Sequence, residues 1–419
     1  MGGTIAPDSF ADAPDCSAVT TENMLATCVE TNTPATLGGD IELSKSFVIK
    51  GGYNLTIDMN EHKIIQQADS VAFEVRKGTL SLEGHGTVER IGDNPDDTHA
   101  TIRIYGETTA QESPTSILSV GEGITISNNN DAGIYVEDND NNSYYGIKVD
   151  FAGNISALQG IVISKNINIT DGMPLINIKD NAKISATEHA IIADGFADWK
   201  INRATISGST GIALVQGQFY IDGAKVTASG DNNADIYPNG PIVKMPNTGA
   251  AIQIQATKDL TDKSSFYVRN GSFTSEKGFA ITEYSANMNS NTTSLKDFKI
   301  YTGTLHGSEE VDGSVINSTT GAFPWFFSDG RMMESGSYSF EDTMERYDQH
   351  KMTVERYGEV DGLEALYNDP ELFGYYLFFP AYRDSLYLQE PEEEALANSD
   401  YKDSHVAKIF DLSIFAFLG

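Results

Sequence analysis

The sequence predicts an all-β solenoid of short parallel strands, and a recurring pattern is the first reason. Between Leu37 and His306, an apolar-x-apolar triplet is followed by Gly, Asn or Asp and then by a second alternating triplet. The first apolar residues of six copies stand 13, 14, 15, 15 and 21 positions apart: Ile134, Ile147, Ile161, Ile176, Ile191 and Ile212. Such steps are too short for a helical-hairpin repeat, but they leave room for two or three strands and their turns.

Period-2 alternation is the second reason for this fold class. The segments 41–43, 55–64 and 80–82 alternate Ile, Leu and Met with Thr, Ser, Glu and Asp, as half-buried strands do. Gly and Asn at the breaks supply tight-turn conformations. Because no amphipathic helical pattern interrupts the strands, a stack of parallel strands is favoured over a βαβ sheet.

Charge and hydropathy limit the partners of the 419-residue chain. Its formal net charge of −32 repels nucleic-acid phosphates and anionic membranes, so we expect neither partner. No segment approaches the roughly 20 apolar residues that cross a bilayer, and residues 1–16 lack the pattern of a secretory signal. The charge serves solubility, cation binding or the separation of like-charged particles.

Composition divides the chain into three parts. Residues 1–34 lack periodicity and are interpreted as an N-terminal cap or attachment segment, 35–320 as the strand solenoid, and 321–419 as a C-terminal cap or interaction module. The last part is aromatic and acidic, and its aromatic residues form either an assembly interface or a private core. The interface candidates are Tyr375, Tyr376, Phe378, Phe379 and Tyr382.

The chain has two cysteines, Cys16 and Cys28, close together near the N-terminus. They form a disulfide that pins an N-terminal loop, or they remain two free thiols in a reducing compartment. Two cysteines without a nearby histidine pair cannot complete a tetrahedral zinc site.

Residues 35–66 and 73–89 resemble a widespread type of right-handed parallel β-helix of the pectin lyase-like kind. It occurs in head fibres and decoration proteins of phages that infect gut bacteria, and in surface proteins of gut Firmicutes. The matching residues are Gly38, Gly39, Leu55, Thr56, Ile57, Asp58, Met59, Asn60, His62 and Ile64. Glu61 stands where this type usually has Gly. A second marker is matched loosely at 335–354. The resemblance implies the right-handed fold and a structural role.

Two patterns are candidates for metal binding or catalysis. Asp138, Asp140 and Asn142 alternate like the start of a calcium loop, but the following Gly and the bidentate Glu are missing, so the segment is a weak Ca²⁺ candidate or a plain turn. His85 stands between two corner glycines and is interpreted as structural. No other cofactor is expected, and no catalytic residue can be singled out.

Basic residues that could serve a lyase are present on the predicted strands. They are Arg103, Lys148, Lys200 and Arg203, and none lies in a recognisable acidic constellation.

The sequence therefore favours a non-enzymatic structural or adhesive protein at a virion, extracellular or cell surface. A phage fibre or capsid-decorating protein is preferred, with other surface proteins, glycans or further copies of the chain as partners. The alternatives are a bacterial adhesin and a tailspike-like lyase or hydrolase that cleaves polysaccharide.

Overall fold

A computed structural model describes most of the chain up to residue 308 and two short strands beyond it. The described residues are 15–92, 100–106, 116–138, 146–164, 173–231, 235–236, 246–255, 264–284, 297–300, 303–308, 316–318 and 336–338. Apart from one helix, α1 (Glu22–Glu30), the regular structure of these residues is all β-strand. Most strands belong to one long parallel sheet, which is compatible with a β-helix.

The parallel strands form three stacks, in which each strand pairs with its equivalents before and after it. The first stack contains β3 (Phe47–Lys50), β6 (Phe73–Arg76), β9 (Ile102–Gly106), β16 (His189–Ala193), β19 (Thr210–Leu214), β23 (Ile252–Gln255), β25 (Ile281–Tyr284) and β28 (Ile316–Ser318). The second stack contains β1 (Ala35–Thr36), β4 (Asn54–Asp58), β7 (Thr79–Glu83), β10 (Ser116–Val120), β12 (Ile147–Phe151), β14 (Leu175–Ile178), β17 (Asp198–Asn202) and β26 (Asp297–Ile300). The third stack contains β2 (Ile41–Leu43), β5 (Lys63–Gln66), β8 (His85–Arg90), β15 (Lys183–Ala186), β18 (Thr205–Gly208) and β27 (Gly303–His306).

Four long strands continue from one stack into the next. Two of them join the third stack to the first, β11 (Gly123–Asp138) and β13 (Asn154–Ile163). The other two join the second stack to the third, β20 (Gln218–Ala228) and β24 (Ser265–Ser275). Three short strands pair antiparallel: β21 (Asp235–Ile236) with β22 (Pro246–Asn247), and β29 (Gly336–Tyr338) with β27.

The strand register corrects the period that the sequence suggested. Ile134 pairs with Ile161, 27 residues later, and Ile161 pairs with Ile191, 30 residues later. Ile147, which the pattern placed next after Ile134, lies in the second stack opposite Ser116. Steps of 13 to 15 therefore relate strands of different stacks, because every strand shows the same alternation. The spacing of about 14 is wrong as a structural period.

The three stacks contribute to one hydrophobic core, which extends from Cys16 to Leu305. Alternate residues of each strand enter it, as the burial of β7 and β12 shows. In the second stack the inward position changes from aliphatic to aromatic: Trp199 stacks on Phe219 with ring centroids 5.1 Å apart, and Phe219 on Phe266 at 5.4 Å. Such offset pairs add to the burial of apolar area.

The described part of the N-terminal segment is continuous with the core. Thr21 caps α1 by accepting a hydrogen bond from the backbone N–H of Met24. Leu25, Cys28 and Val29 lie on the buried face of the helix. Cys16 and Cys28 form a disulfide, so of the two alternatives the structure has the bridge.

The turn between β4 and β5 shows the consequence of Glu61. The His62 N–H donates to the Met59 carbonyl at 2.8 Å, which closes a two-residue turn. Both central residues have positive φ, 43° at Asn60 and 67° at Glu61. Such a turn favours Asn followed by Gly, so Glu61 holds a left-handed conformation that glycine would adopt without a steric penalty.

The connections between stacks differ in length. From the second stack to the third they are short, as at the single residue Gly84 between β7 and β8. From the first stack to the second they reach 285–296 between β25 and β26, and from the third to the first they reach 229–251 between β20 and β23. The longest connections therefore lead into and out of the strands of the first stack.

Candidate functional site

The outer face of the third stack carries a row of hydroxyl side chains. Strand register aligns one position on six successive strands: Ser127, Ser156, Ser185, Ser207, Thr227 and Thr274. All six are exposed or half-buried. The row continues to His306 on β27. Between neighbouring strands the Ser207 hydroxyl lies 3.3 Å from that of Ser185, within hydrogen-bond distance.

A second row lies two residues earlier on the same strands. It consists of Thr87, Thr125, Asn154, Lys183, Thr205, Lys225, Ser272 and Thr304. From Thr125 to His306, neither row contains an aspartate or glutamate. Lys183 and Lys225 are exposed and form no ion pair with any described residue. In a chain of net charge −32, these two rows form a stripe without carboxylates.

The outer face of the first stack has a different character. One register row runs along it: Glu74, Arg103, Tyr135, Val162, Ile192, Ala213, Gln253 and Thr282. From Tyr135 onward all of these residues are buried. Tyr135, Val162, Ile192 and Ala213 belong to a second hydrophobic cluster, separate from the main core. Every residue of β16 and β19 is buried, so these strands are covered on both faces.

Charged and aromatic side chains lie at the N-terminal end of this row, around Arg103. Arg103 donates through Nε to Glu137 Oε2 at 2.7 Å, and its guanidinium lies 4.5 Å from the ring centroid of Tyr105. Arg76 lies over the same ring at 4.2 Å. Burial raises the pKa of Tyr135 to about 12, against a lowering hydrogen bond from Ser164. Arg103 is thus held by a carboxylate and an aromatic ring, and it does not resemble a catalytic base.

The other basic residues considered from the sequence lie apart from one another on outer faces. Lys148 Nζ lies 2.8 Å from Asp150 Oδ2, and Arg203 forms an ion pair with Asp180. Burial raises the pKa of Asp150, but hydrogen bonds from Lys148 and Asn177 outweigh it and hold that pKa below its ordinary value. Lys200 forms no ion pair within the described part of the chain. The structure does not bring these basic residues together into one site.

Glu188 is a strongly perturbed carboxyl group at the corner between the third and first stacks. Burial raises its pKa to about 7; a hydrogen bond from Gln159 lowers it, and the charge of Asp131 raises it. The Gln159 Nε2 donates to Glu188 Oε2 at 3.3 Å. Glu188 can therefore hold a proton near neutral pH, as a general acid must. It is only 4% exposed and Asp131 only 1%, so neither reaches a polymer at the surface.

The remaining predicted residues stand as follows. Asp138 is the last residue of β11, whereas Asp140 and Asn142 lie outside the described residues. The five interface candidates of the C-terminal module also lie outside them: Tyr375, Tyr376, Phe378, Phe379 and Tyr382. His85 is exposed, with Nδ1 3.7 Å from Glu61 Oε1. A Cβ on the neighbouring Gly86 would collide with the His62 carbonyl, which explains that glycine as structural.

Sequence reasoning missed the hydroxyl rows, although their signal is visible. The triplets at 125–127, 154–156, 183–185, 205–207, 225–227 and 272–274 all have a polar residue, an apolar residue and then Ser or Thr. Only the register shows that these triplets share a stack, because the other stacks carry similar triplets.

In the described part of the chain, no group of three or more His, Cys, Asp or Glu side chains could hold a metal ion. The helix that the structure describes is too short to cross a membrane. Comparison of the chain with protein-family models, curated proteins and solved structures found no match.

Proposed function

We propose that the protein is a non-enzymatic structural or adhesive protein displayed at a surface, and that its strands coil as a right-handed parallel β-helix. A phage head fibre or capsid-decorating protein is preferred over a bacterial surface adhesin. The resemblance of residues 35–66 and 73–89 to such proteins supports this choice, and so does the architecture.

The observation that carries the proposal is the continuity of the three stacks around one core. The first stack pairs without interruption from Phe47 on β3 to Ile316 on β28. Each interior strand of the stack pairs with a neighbouring strand on both edges, and a body paired in this way resists local opening and proteolysis. A rigid body of repeated strands suits a protein that holds a binding surface away from a particle or cell.

The charge of the chain supports display at a surface. Several of its cations are matched to carboxylates, as in the pairs Lys148–Asp150, Arg269–Asp222 and Lys277–Asp231. Because the chain has 28 Lys and Arg but 60 Asp and Glu, an excess of carboxylates is left without a cation, which gives the net charge of −32. Particles covered with such a protein repel one another at separations up to about one Debye length, roughly 8 Å at physiological salt.

A polysaccharide-cleaving enzyme is the second candidate, and Glu188 is the observation that favours it. Its pKa of about 7 suits a general acid, and Asp131 is a carboxylate close enough to influence it. Burial of both groups favours a structural role at the corner, because a glycosidic bond must contact the acid that protonates it.

Two measurements test the proposed function. Affinity purification of the protein from its source, with mass spectrometry of what accompanies it, should recover virion or cell-envelope proteins. Recovery of a soluble metabolic complex would contradict the proposal.

The second measurement is the chain length of capsular and pectic polysaccharides after incubation with the protein. We expect no shortening. Cleavage that is lost in Glu188→Gln but kept in Glu276→Gln, a change of an exposed carboxylate, would establish the enzyme instead.

A further inference from the structure

We propose that the outer face of the third stack, from Thr125 to His306, is a contact surface for an acidic polysaccharide. The proposal rests on the proposed function, a surface-displayed protein that does not cleave its ligand, and it names the polymer that this protein binds. The polymer would lie along the stack, across successive strands, with its carboxylates near Lys183 and Lys225.

Charge segregation is the first argument. Lys183 and Lys225 flank Thr205 in one register row, so two strand spacings, about 9–10 Å, separate their positions. Neither forms an ion pair with a described residue, whereas Arg103, Lys148 and Arg203 each contact a carboxylate. An anionic polymer repelled by most of this protein meets on this stripe two exposed lysines that no carboxylate of the described residues pairs with.

Hydrogen-bonding chemistry is the second argument. Every residue of the two rows from Thr125 to His306 offers a hydroxyl, amide, ammonium or imidazole group. Neighbouring strands repeat these groups about every 4.8 Å, and the two rows lie about 7 Å apart on each strand. Hydroxyls both donate and accept, so the face can match the hydroxyls of successive sugar units without a single deep pocket.

The composition of the face disfavours other polymers. Neither row contains Arg, Trp, Tyr or Phe, on which the bases of a single-stranded nucleic acid would stack. Serine is depleted in the buried centre of protein–protein interfaces, so a hydroxyl face is a poor match for a second protein. An acidic polysaccharide uses both of the available groups, ammonium and hydroxyl.

The test compares binding of polygalacturonate and of neutral dextran at 150 mM NaCl. At this salt concentration charges more than about 8 Å apart are largely screened, so the acidic faces repel the polymer less while direct contacts persist. The Lys183→Glu/Lys225→Glu variant removes the positive charge of the stripe. A control, Lys50→Glu/Lys200→Glu, makes the same change of net charge on the other two stacks, at residues that also lack ion pairs within the described chain.

We expect affinity electrophoresis to show binding of polygalacturonate and weaker binding of dextran. The Lys183→Glu/Lys225→Glu variant should bind polygalacturonate at least about tenfold more weakly, and the control within about twofold of the native protein. Lys183→Gln/Lys225→Gln should fall between them. Circular dichroism spectra that match the native protein would show that the variants fold.

Four outcomes would overturn the inference: no binding of polygalacturonate, equal binding of dextran, equal weakening in the control, or a preference for single-stranded DNA. Concentration-dependent dimerisation abolished by Lys183→Glu/Lys225→Glu would assign the face to a second copy and also overturn it. None of these results contradicts a displayed structural protein, whereas shortening of the polymer would contradict the proposed function itself.

Discussion

The outer faces of the first and third stacks come from the same strand alternation but differ in chemistry and exposure. At neighbouring places in the chain, Ser185 on β15 is exposed, whereas Ile192 on β16 is fully buried. The longest connections lead into and out of the strands of the first stack, and short connections join the second stack to the third. A period-2 pattern therefore fixes which side chains enter the core. Whether the side chains on the outer face are exposed or buried depends on what covers that face.

The largest expected effect is on stability and separates the two faces. Ile192→Ala should lower the free energy of unfolding by about 2–4 kcal/mol, because it removes buried methyl groups from the second hydrophobic cluster. Ser185→Ala, on β15 immediately before β16 in the chain, should change the free energy of unfolding by less than about 0.5 kcal/mol. Equilibrium urea unfolding measures both.

Equal, small effects of these two substitutions would mean that the outer face of the first stack is not covered in solution. The distinction between the faces would then be lost. A large effect of Ser185→Ala would show that the third stack is covered as well.

The next effect concerns the corner where the two stacks meet. Burial raises the pKa of Glu188 from 4.5 to about 7, so the folded chain binds a proton more tightly than the unfolded chain. The resulting stabilisation is complete below about pH 4.5 and is lost as the pH rises through about 7. Glu188→Gln should therefore be more stable than the native protein at pH 8, by about 1–3 kcal/mol, and equally stable at pH 4.5.

Urea unfolding of both proteins across this pH range measures the difference. The matched control is Glu276→Gln at an exposed position, which should follow the native profile. If the free energy of unfolding of Glu188→Gln and of the native protein varied with pH in the same way, Glu188 would be solvated. The corner would then be exposed, like the outer face of the third stack.

A smaller effect is expected at the turn between β4 and β5, which leads into the third stack. Glu61→Gly should raise the free energy of unfolding by about 1 kcal/mol, because glycine adopts positive φ without the steric cost of a Cβ. Thermal unfolding compares it with Glu61→Ala, which keeps the Cβ and should show no gain. A gain in Glu61→Ala would assign the effect to the charge of Glu61 instead.

Much of the architecture could be predicted from the sequence, since alternation and turn residues are local properties. The parallel strands and the buried position of Ile57 follow from them. The pairing of Ile134 with Ile161 could not, because connections of unequal length separate strands that look alike. The helix α1 was missed, although Thr21 before it and the spacing of Leu25, Cys28 and Val29 fit a capped helix.

The candidate site was less accessible to sequence reasoning than the fold. The triplet at 183–185 looks like that at 148–150, yet one lies on the hydroxyl face and the other on the second stack. The perturbation of Glu188 depends on burial and on Asp131, 57 residues earlier in the chain. Both are long-range properties that no local pattern encodes.

The most direct test of the contrast between the faces is the labelling rate of one thiol placed on each face. The native cysteines are joined in a disulfide, so Ser185→Cys and Ala213→Cys each add a single free thiol. We predict that Ser185→Cys reacts with a thiol reagent as a free thiol does, while Ala213→Cys reacts at least about a hundredfold more slowly, because its labelling requires local opening. Equal rates under native conditions would contradict the account, since both faces would then be open to solvent.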